Sequence, residues 1–262
     1  MIASLYHYRS YIAASAIVDL RHRYAGTSIG FVWNVLQPLA LILMLSLVFS
    51  RIMPVRQTGG ASQGVSFLLY LCAGYLPWIG FSDGLARCLN ALPENAAYLK
   101  KLPIPEQVFV AKGALAALIS MAVSLLLLAG LLLVLGQFPG WTILLAVPAA
   151  ILLIGLAFGL GLALGTVNVF FRDVAHLTNV LLQLWMWCTP VVYTIEVIPE
   201  PYRDLFWFNP VYPYVVALRD AALYGRVSEP AVWLAMLGWT GTACALGLTI
   251  LARLRPELRD VL

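Results

Sequence analysis

The chain has 262 residues, 62% of them hydrophobic and only 11% charged, with a mean hydropathy of +0.89. A soluble domain carries roughly twice that charged fraction, so the composition excludes a soluble globular protein and fits about six membrane spans with short connections. The net charge of +4 bears on orientation in a membrane rather than on nucleic-acid binding.

Residues 1–23 are too polar to span. Ile2, Leu5, Ala13, Ala16, Ile17 and Leu20 gather on one side of a helical wheel that Arg9 interrupts, which predicts an amphipathic helix in the cytoplasmic interface. No compact apolar core precedes a small-residue cleavage site, which argues against a signal peptide. This helix is expected to stop near Ala25-Gly26, with Thr27 or Ser28 capping the span that follows. Residues 1–28 are therefore an interface helix, and 29–262 a transmembrane domain.

Arg21, His22 and Arg23 stand before an apolar run from Phe31 to Phe49. Nineteen residues of helix cover roughly 30 Å, the thickness of the bilayer hydrocarbon. Basic residues beside a span stay in the cytoplasm. Arg51 to Gly64 reads as an external loop rich in Gly, Ser and Gln. A second span is predicted from Val65 to Ser82, kinked or divided at Pro77. Asp83 to Lys112 is the next polar stretch and is placed in the cytoplasm.

No charge occurs from Gly113 to Phe171, and residues 136–140 (GQFPG) form a turn signal within that stretch. A hairpin of two spans over 110–135 and 142–167 follows. Its second arm carries Gly155-x-x-x-Gly159 and Gly161-x-x-x-Gly165, spacings that allow close helix approach. Asn168 to His176 makes a short cytoplasmic turn, and a fifth span is predicted from Leu177 to Thr194. The external segment 195–229 holds four prolines and two apolar stretches, 206–208 and 215–218, too short to span. These predict re-entrant helices in the outer half of the membrane. A last span runs from Pro230 to Ala252, followed by a cytoplasmic tail. With both ends inside, eleven of the 16 Lys and Arg residues fall on the cytoplasmic side. The predicted fold is all-α: six transmembrane helices, an N-terminal interface helix and external re-entrant helices.

No GxxxxGK[ST] phosphate loop, HExxH or GxSxG occurs, and His7, His22 and His176 lie apart. Cys72, Cys88, Cys188 and Cys244 are widely spaced and read as free thiols, neither a disulfide set nor a metal site. No acidic residue lies within a predicted span. Ion-coupled carriers usually need ionisable groups at depth, so this body is either passive or driven by a partner. Aromatic residues are the positive signal. Trp33, Phe49, Tyr70, Tyr75, Trp78, Phe81, Trp185, Trp187 and Tyr193 lie in predicted spans. Part of this set suits an interfacial belt; the remainder is suited to line a conduit in which sugar rings stack weakly and slide.

Arg23-Tyr24-Ala25-Gly26-Thr27-Ser28-Ile29-Gly30-Phe31-Val32-Trp33 with Gln37-Pro38-Leu39, then Asn168-Val169-Phe170-Phe171-Arg172-Asp173, then Asn209-Pro210-Val211-Tyr212-Pro213, resemble the ABC-2 type permeases that export polysaccharides. The resemblance covers nearly the whole chain and is nearest to the O-antigen, capsule and teichoic-acid exporters. It implies a homodimer working with two copies of a separate ATPase, which binds ATP and Mg while this chain holds no cofactor. It also implies an undecaprenyl-diphosphate-linked polysaccharide substrate moved outward across the bacterial inner membrane.

The same resemblance assigns residues. In the loop 83–107, Glu94, Asn95, Ala97, Tyr98, Leu99, Lys100 and Lys101 would form a coupling helix; the alternative is a solvated basic turn. Arg21, Arg23 and Arg172 would meet the lipid diphosphate, for which a planar guanidinium is suited, or serve only as topology determinants. Tyr202, Phe206, Trp207, Tyr212 and Tyr214 would belong to external gate helices. Two other readings stay open: an ABC-2 permease for a smaller substrate (a drug or lipo-oligosaccharide), and a membrane transferase using Asp19, Asp83 and Asp173.

Overall fold

A computed structural model describes residues 2–23, 30–49, 67–138 and 140–261. Their eleven α-helices are α1 (Ile2–His7), α2 (Arg9–Arg23), α3 (Trp33–Phe49), α4 (Phe67–Glu94), α5 (Ala96–Lys101), α6 (Glu106–Val134), α7 (Ala146–Phe170), α8 (Asp173–Trp187), α9 (Glu200–Arg203), α10 (Tyr212–Ala222) and α11 (Pro230–Val261). Three stretches are long and apolar enough to cross a membrane: Glu106–Val134, Trp141–Phe170 and Pro230–Leu258. Helix α4 has a spanning length, 28 residues, with a more polar second half.

The predicted hairpin is α6 and α7. Leucine- and alanine-rich sequence carries α6 without a break. Gly136 and Gly140 then take φ of 72° and 60°, a region that side chains with a Cβ resist, so the chain reverses there.

Helix α7 lies at the centre, and both glycine pairs are real seams. Gly155 faces Thr240 of α11, and a Cβ on Gly159 would lie 2.5 Å from the Ala243–Cys244 backbone. Gly161 and Gly165 face the Cys88–Leu89 turn of α4. One glycine pair therefore seats α11 and the next seats α4, because α7 turns its face between them. Around this axis lies an apolar core that includes Leu71, Leu76, Met121, Leu153, Val215 and Met236. A second cluster at the other end joins Ile12, Leu92, Leu99, Phe109, Leu162, Leu251 and Leu258, so α2, α4, α5, α6, α7 and α11 all meet there.

Several boundaries differ from those predicted. Helix α4 passes through Pro77 undivided and continues to Glu94, so the first part of the expected polar loop is helix. Leu85, Cys88, Leu89 and Leu92 are buried on one stripe, and Arg87 pairs with Asp83 one turn back at 2.7 Å. Tyr8 separates α1 from α2. The buried stripe of α2 is Ile12, Ala16 and Leu20, while Ala13 and Ile17 are exposed. Packing against Ala116 of α6 selects that face.

Helix α8 stops at Trp187 and Cys188–Thr194 form turns; Pro190 removes a backbone donor where the helix would continue. Fifteen residues make about 22 Å of helix, shorter than the fifth span predicted. The expected tail is helical, because α11 continues through Pro256 to Val261.

Candidate functional site

Among the expected coupling residues, Glu94 ends α4 and Asn95 bridges to α5, its Nδ2 donating to the Ala91 carbonyl at 2.7 Å. The Asn95 carbonyl accepts from the backbone of Tyr98 and Leu99, and this starts the six-residue helix. Leu99 is buried in the second cluster, whereas Ala97, Tyr98, Lys100 and Lys101 are exposed. A helix this short has little stability of its own. The Leu99 anchor holds it, with Lys100 and Lys101 placed favourably at its C-terminal end. Partial desolvation, and then the Asp19 charge, raise the Glu94 carboxyl above its ordinary range.

Beside α5, ion pairs fasten three helices. Asp19 of α2 meets Arg87 of α4 at 3.2 Å and Lys112 of α6 at 3.4 Å, and Arg87 also holds Asp83. Two of the three carboxylates named for a transferase, Asp19 and Asp83, are thus committed to one guanidinium. Asp173 lies in the first turn of α8. Further along, the fully buried Glu106 carboxylate, in the first turn of α6, receives Arg255 of α11 at 2.8 Å. Asp19→Asn is expected to lower thermal stability by only about 1 kcal/mol, because its side chain is 36% exposed, yet to free α2 from its two neighbours. Differential scanning fluorimetry in detergent, with protease cleavage near Arg23, checks both halves.

The aromatic residues divide into groups. Trp78, Phe81 and Trp185 stack in the core with ring centroids 5.6 to 6.1 Å apart, and Phe81 is fully buried. Tyr70 is buried as well; its hydroxyl donates to the Tyr193 carbonyl at 3.2 Å. The Tyr193 hydroxyl donates to the carbonyl of the exposed Trp187. Trp33, Tyr75 and Trp78 line a cleft of about 290 Å³ between α3, α4, α6 and α8. The Phe49 side chain lies outside the described residues.

Of the three arginines expected near a diphosphate, Arg21 is exposed on the last turn of α2 and Arg172 is exposed before α8. The Arg23 side chain lies outside the described residues. So do residues 24–29 of the first resemblance motif. In the second motif, Asn168 of α7 is buried and its Oδ1 accepts from the Ala175 amide at 3.2 Å, satisfying one of the free amides in the first turn of α8.

The third motif is a knot. Asn209 Oδ1 accepts from Trp185 Nε1 at 2.9 Å and from the Val211 amide, while Nδ2 donates to the Cys188 carbonyl and to Thr189 Oγ1. The end of α8 is thereby tied to the start of α10. Tyr212 stacks with Phe206 and Trp207 at 5.8 Å. Tyr214 is fully buried, with its hydroxyl 2.8 Å from the Met236 carbonyl and 2.6 Å from Thr240 Oγ1. Tyr202 is exposed on α9.

Arg219 had no role in the sequence reading beyond a positive charge outside. It is buried in α10, with Nη1 and Nη2 each 2.7 Å from the carbonyls of Pro190 and Val191 and its guanidinium carbon 3.8 Å above the Tyr70 ring. Gly74 leaves the space it occupies. No local sequence signal marks this, since the partners come from α4 and from the turn after α8.

These features define a multi-pass, all-helical membrane protein in which α2, α4 and α6 are fastened at one end by ion pairs. The chain belongs to the ABC-2 type transporter family, whose model matches residues 12–223. It is 32% identical over 203 residues to an O-antigen export system permease protein of Myxococcus xanthus, covering 76% of this chain and 74% of that one. A Klebsiella pneumoniae protein of the same description is 25% identical over 246 residues, covering 93% and 92%. The polysialic acid transport protein KpsM of Escherichia coli is 26% identical over 219 residues, covering 83% of each.

Proposed function

We infer that this chain is the permease subunit of an ABC transporter that exports a polysaccharide, most closely an O-antigen. In this reading the glycan is carried on undecaprenyl diphosphate and crosses the bacterial inner membrane outward. The chain has six spans and both ends in the cytoplasm, and it acts as a homodimer with two copies of a separate ATPase. ATP and Mg are bound by that ATPase. The relatives' names, the family match and the apolar surface left exposed on α3 and α8 support the reading; an apolar patch of that extent suits lipid or a second copy. Residues Tyr202, Phe206, Trp207, Tyr212 and Tyr214 would then belong to the outer gate. Arg21, Arg23 and Arg172 would guide the arriving diphosphate.

The observation that carries the coupling assignment is α5, with one buried anchor and a displayed face of Tyr98, Lys100 and Lys101. That is the form of a docking helix. Changing Lys100→Glu and Lys101→Glu together is expected to reduce surface polymer by on the order of tenfold, the effect of about 1.4 kcal/mol, with permease levels unchanged. Surface glycan staining against a membrane immunoblot reads this. Undiminished export by the double variant would remove the coupling assignment. A permease for a smaller substrate shares this fold, and the aromatic content is the feature that favours the polymer.

A further inference from the structure

The cleft between α3, α4, α6 and α8 combines two chemistries rarely found together in a membrane bundle. Its aromatic wall is Trp33, Tyr75 and Trp78; its polar wall includes Asn34, Gln37, Ser82, Ser120 and Ser124. Polar groups at membrane depth are costly and gather where helices bond or where a polar species passes. Ser124 Oγ is spent within α6, donating to the Ser120 carbonyl at 3.2 Å. Ser120 Oγ is different: the residue is only 6% exposed, and this buried oxygen has no hydrogen-bond partner among the described residues. A buried hydroxyl of that kind is destabilising unless something else bonds to it.

The kind of occupant follows from what the walls lack. Among the described residues Asp83 is the one charged group in the lining, and Arg87 already holds it, so neither a phosphate nor a free ion finds a counter-charge there. A lipid chain gains nothing from amides and hydroxyls. A pyranose ring satisfies both walls, its C–H face on the indole and phenol rings and its hydroxyls on the amides and serines. The volume of about 290 Å³ lies at the small end of ligand sites, room for one sugar ring rather than a folded chain. Because Asp83 also belongs to the Asp19–Arg87 network, the cleft adjoins the end that carries α2 and α5.

We propose that this cleft binds a single uncharged sugar residue of the exported glycan, one per protomer; the proposal rests on the polysaccharide-export reading. It makes Asn34, Gln37 and Ser120 specificity-determining contacts. A photo-crosslinking residue introduced at Gln37 or Leu41, in the complete transporter of the native host, is expected to give glycan-bearing adducts on illumination. The same residue at Leu43 or Met44, which are 51% and 66% exposed and lie outside the cleft, is expected to give none. Ser120→Ala removes only the hydroxyl, and is expected to lower export by about 3- to 10-fold, the effect of one lost hydrogen bond, with membrane levels and ATP hydrolysis unchanged.

Absence of adducts at both cleft positions, or wild-type export by Ser120→Ala, overturns the proposal. Deleting the chain separates this result from failure of the broader reading. If surface polymer persists without the chain, polysaccharide export itself is wrong. If polymer is lost on deletion but no cleft adduct forms, only the sugar site is wrong.

Discussion

Arg219→Leu is expected to destabilise the protein by about 4 kcal/mol, enough to remove most folded material at growth temperature. Its guanidinium donates to the Pro190 and Val191 carbonyls and covers the Tyr70 ring. Leucine leaves both carbonyls buried and unpaired, at about 1–3 kcal/mol each, and forfeits a desolvated cation–π contact of about 2 kcal/mol. Arg219→Lys should recover less than half of the loss, because one ammonium cannot reproduce a planar fork between two acceptors. Gly74→Ala should act in the same direction from the other side, since its Cβ would meet Arg219 Nη2 and lie 2.9 Å from the Val191 carbonyl oxygen. Thermal unfolding in detergent, with the monodisperse fraction on size exclusion, measures all three. A wild-type melting profile for Arg219→Leu would mean that the Pro190–Val191 turn does not depend on Arg219.

The second large effect is expected at the α7–α11 seam. Gly159→Leu should cost about 3 kcal/mol or more, at the upper end for overpacking, because the obstruction is the Ala243–Cys244 backbone at 2.5 Å rather than a movable side chain. Gly155→Leu should cost less, since its nearest neighbour is the Thr240 methyl at 3.0 Å. The order Gly159 above Gly155 is the test: equal losses would mean the two helices slide apart as rigid bodies and the close approach is not specific.

Where the sequence was legible, the signal was local. Gly136 and Gly140 marked the hairpin because a positive φ leaves few alternatives to glycine. The paired glycines of α7 announced close approach, but only the structure distributes them between α11 and α4. The six residues of α5 lay where the loop prolines bracket them, two residues later than expected at the start. The inner half of α4 was readable in principle: Leu85, Leu89 and Leu92 with an Asp83–Arg87 pair form a helical stripe, hidden by a polar composition that suggested a loop.

Other features were not local. Arg219 looks like any external arginine until Gly74 and the Pro190 turn are brought against it. The shortness of α8 is set by Pro190 together with the Asn209 knot, whose partners run from Trp185 to Thr189 and include Val211. The α2 stripe was rotated because its exposed alternatives, Ala13 and Ile17, are as apolar as the residues that are buried. Ala116 and the Asp19 ion pairs decided between the faces. Arg21 and Arg172 remain candidates by position alone.

Helix α11 has a mechanical consequence. It is 32 residues long, about 48 Å, and is gripped near one extremity by Tyr214 at Met236 and Thr240 and near the other by Glu106 at Arg255. A tilt at either grip is therefore transmitted along a single rod, so the two ends of the bundle cannot relax independently.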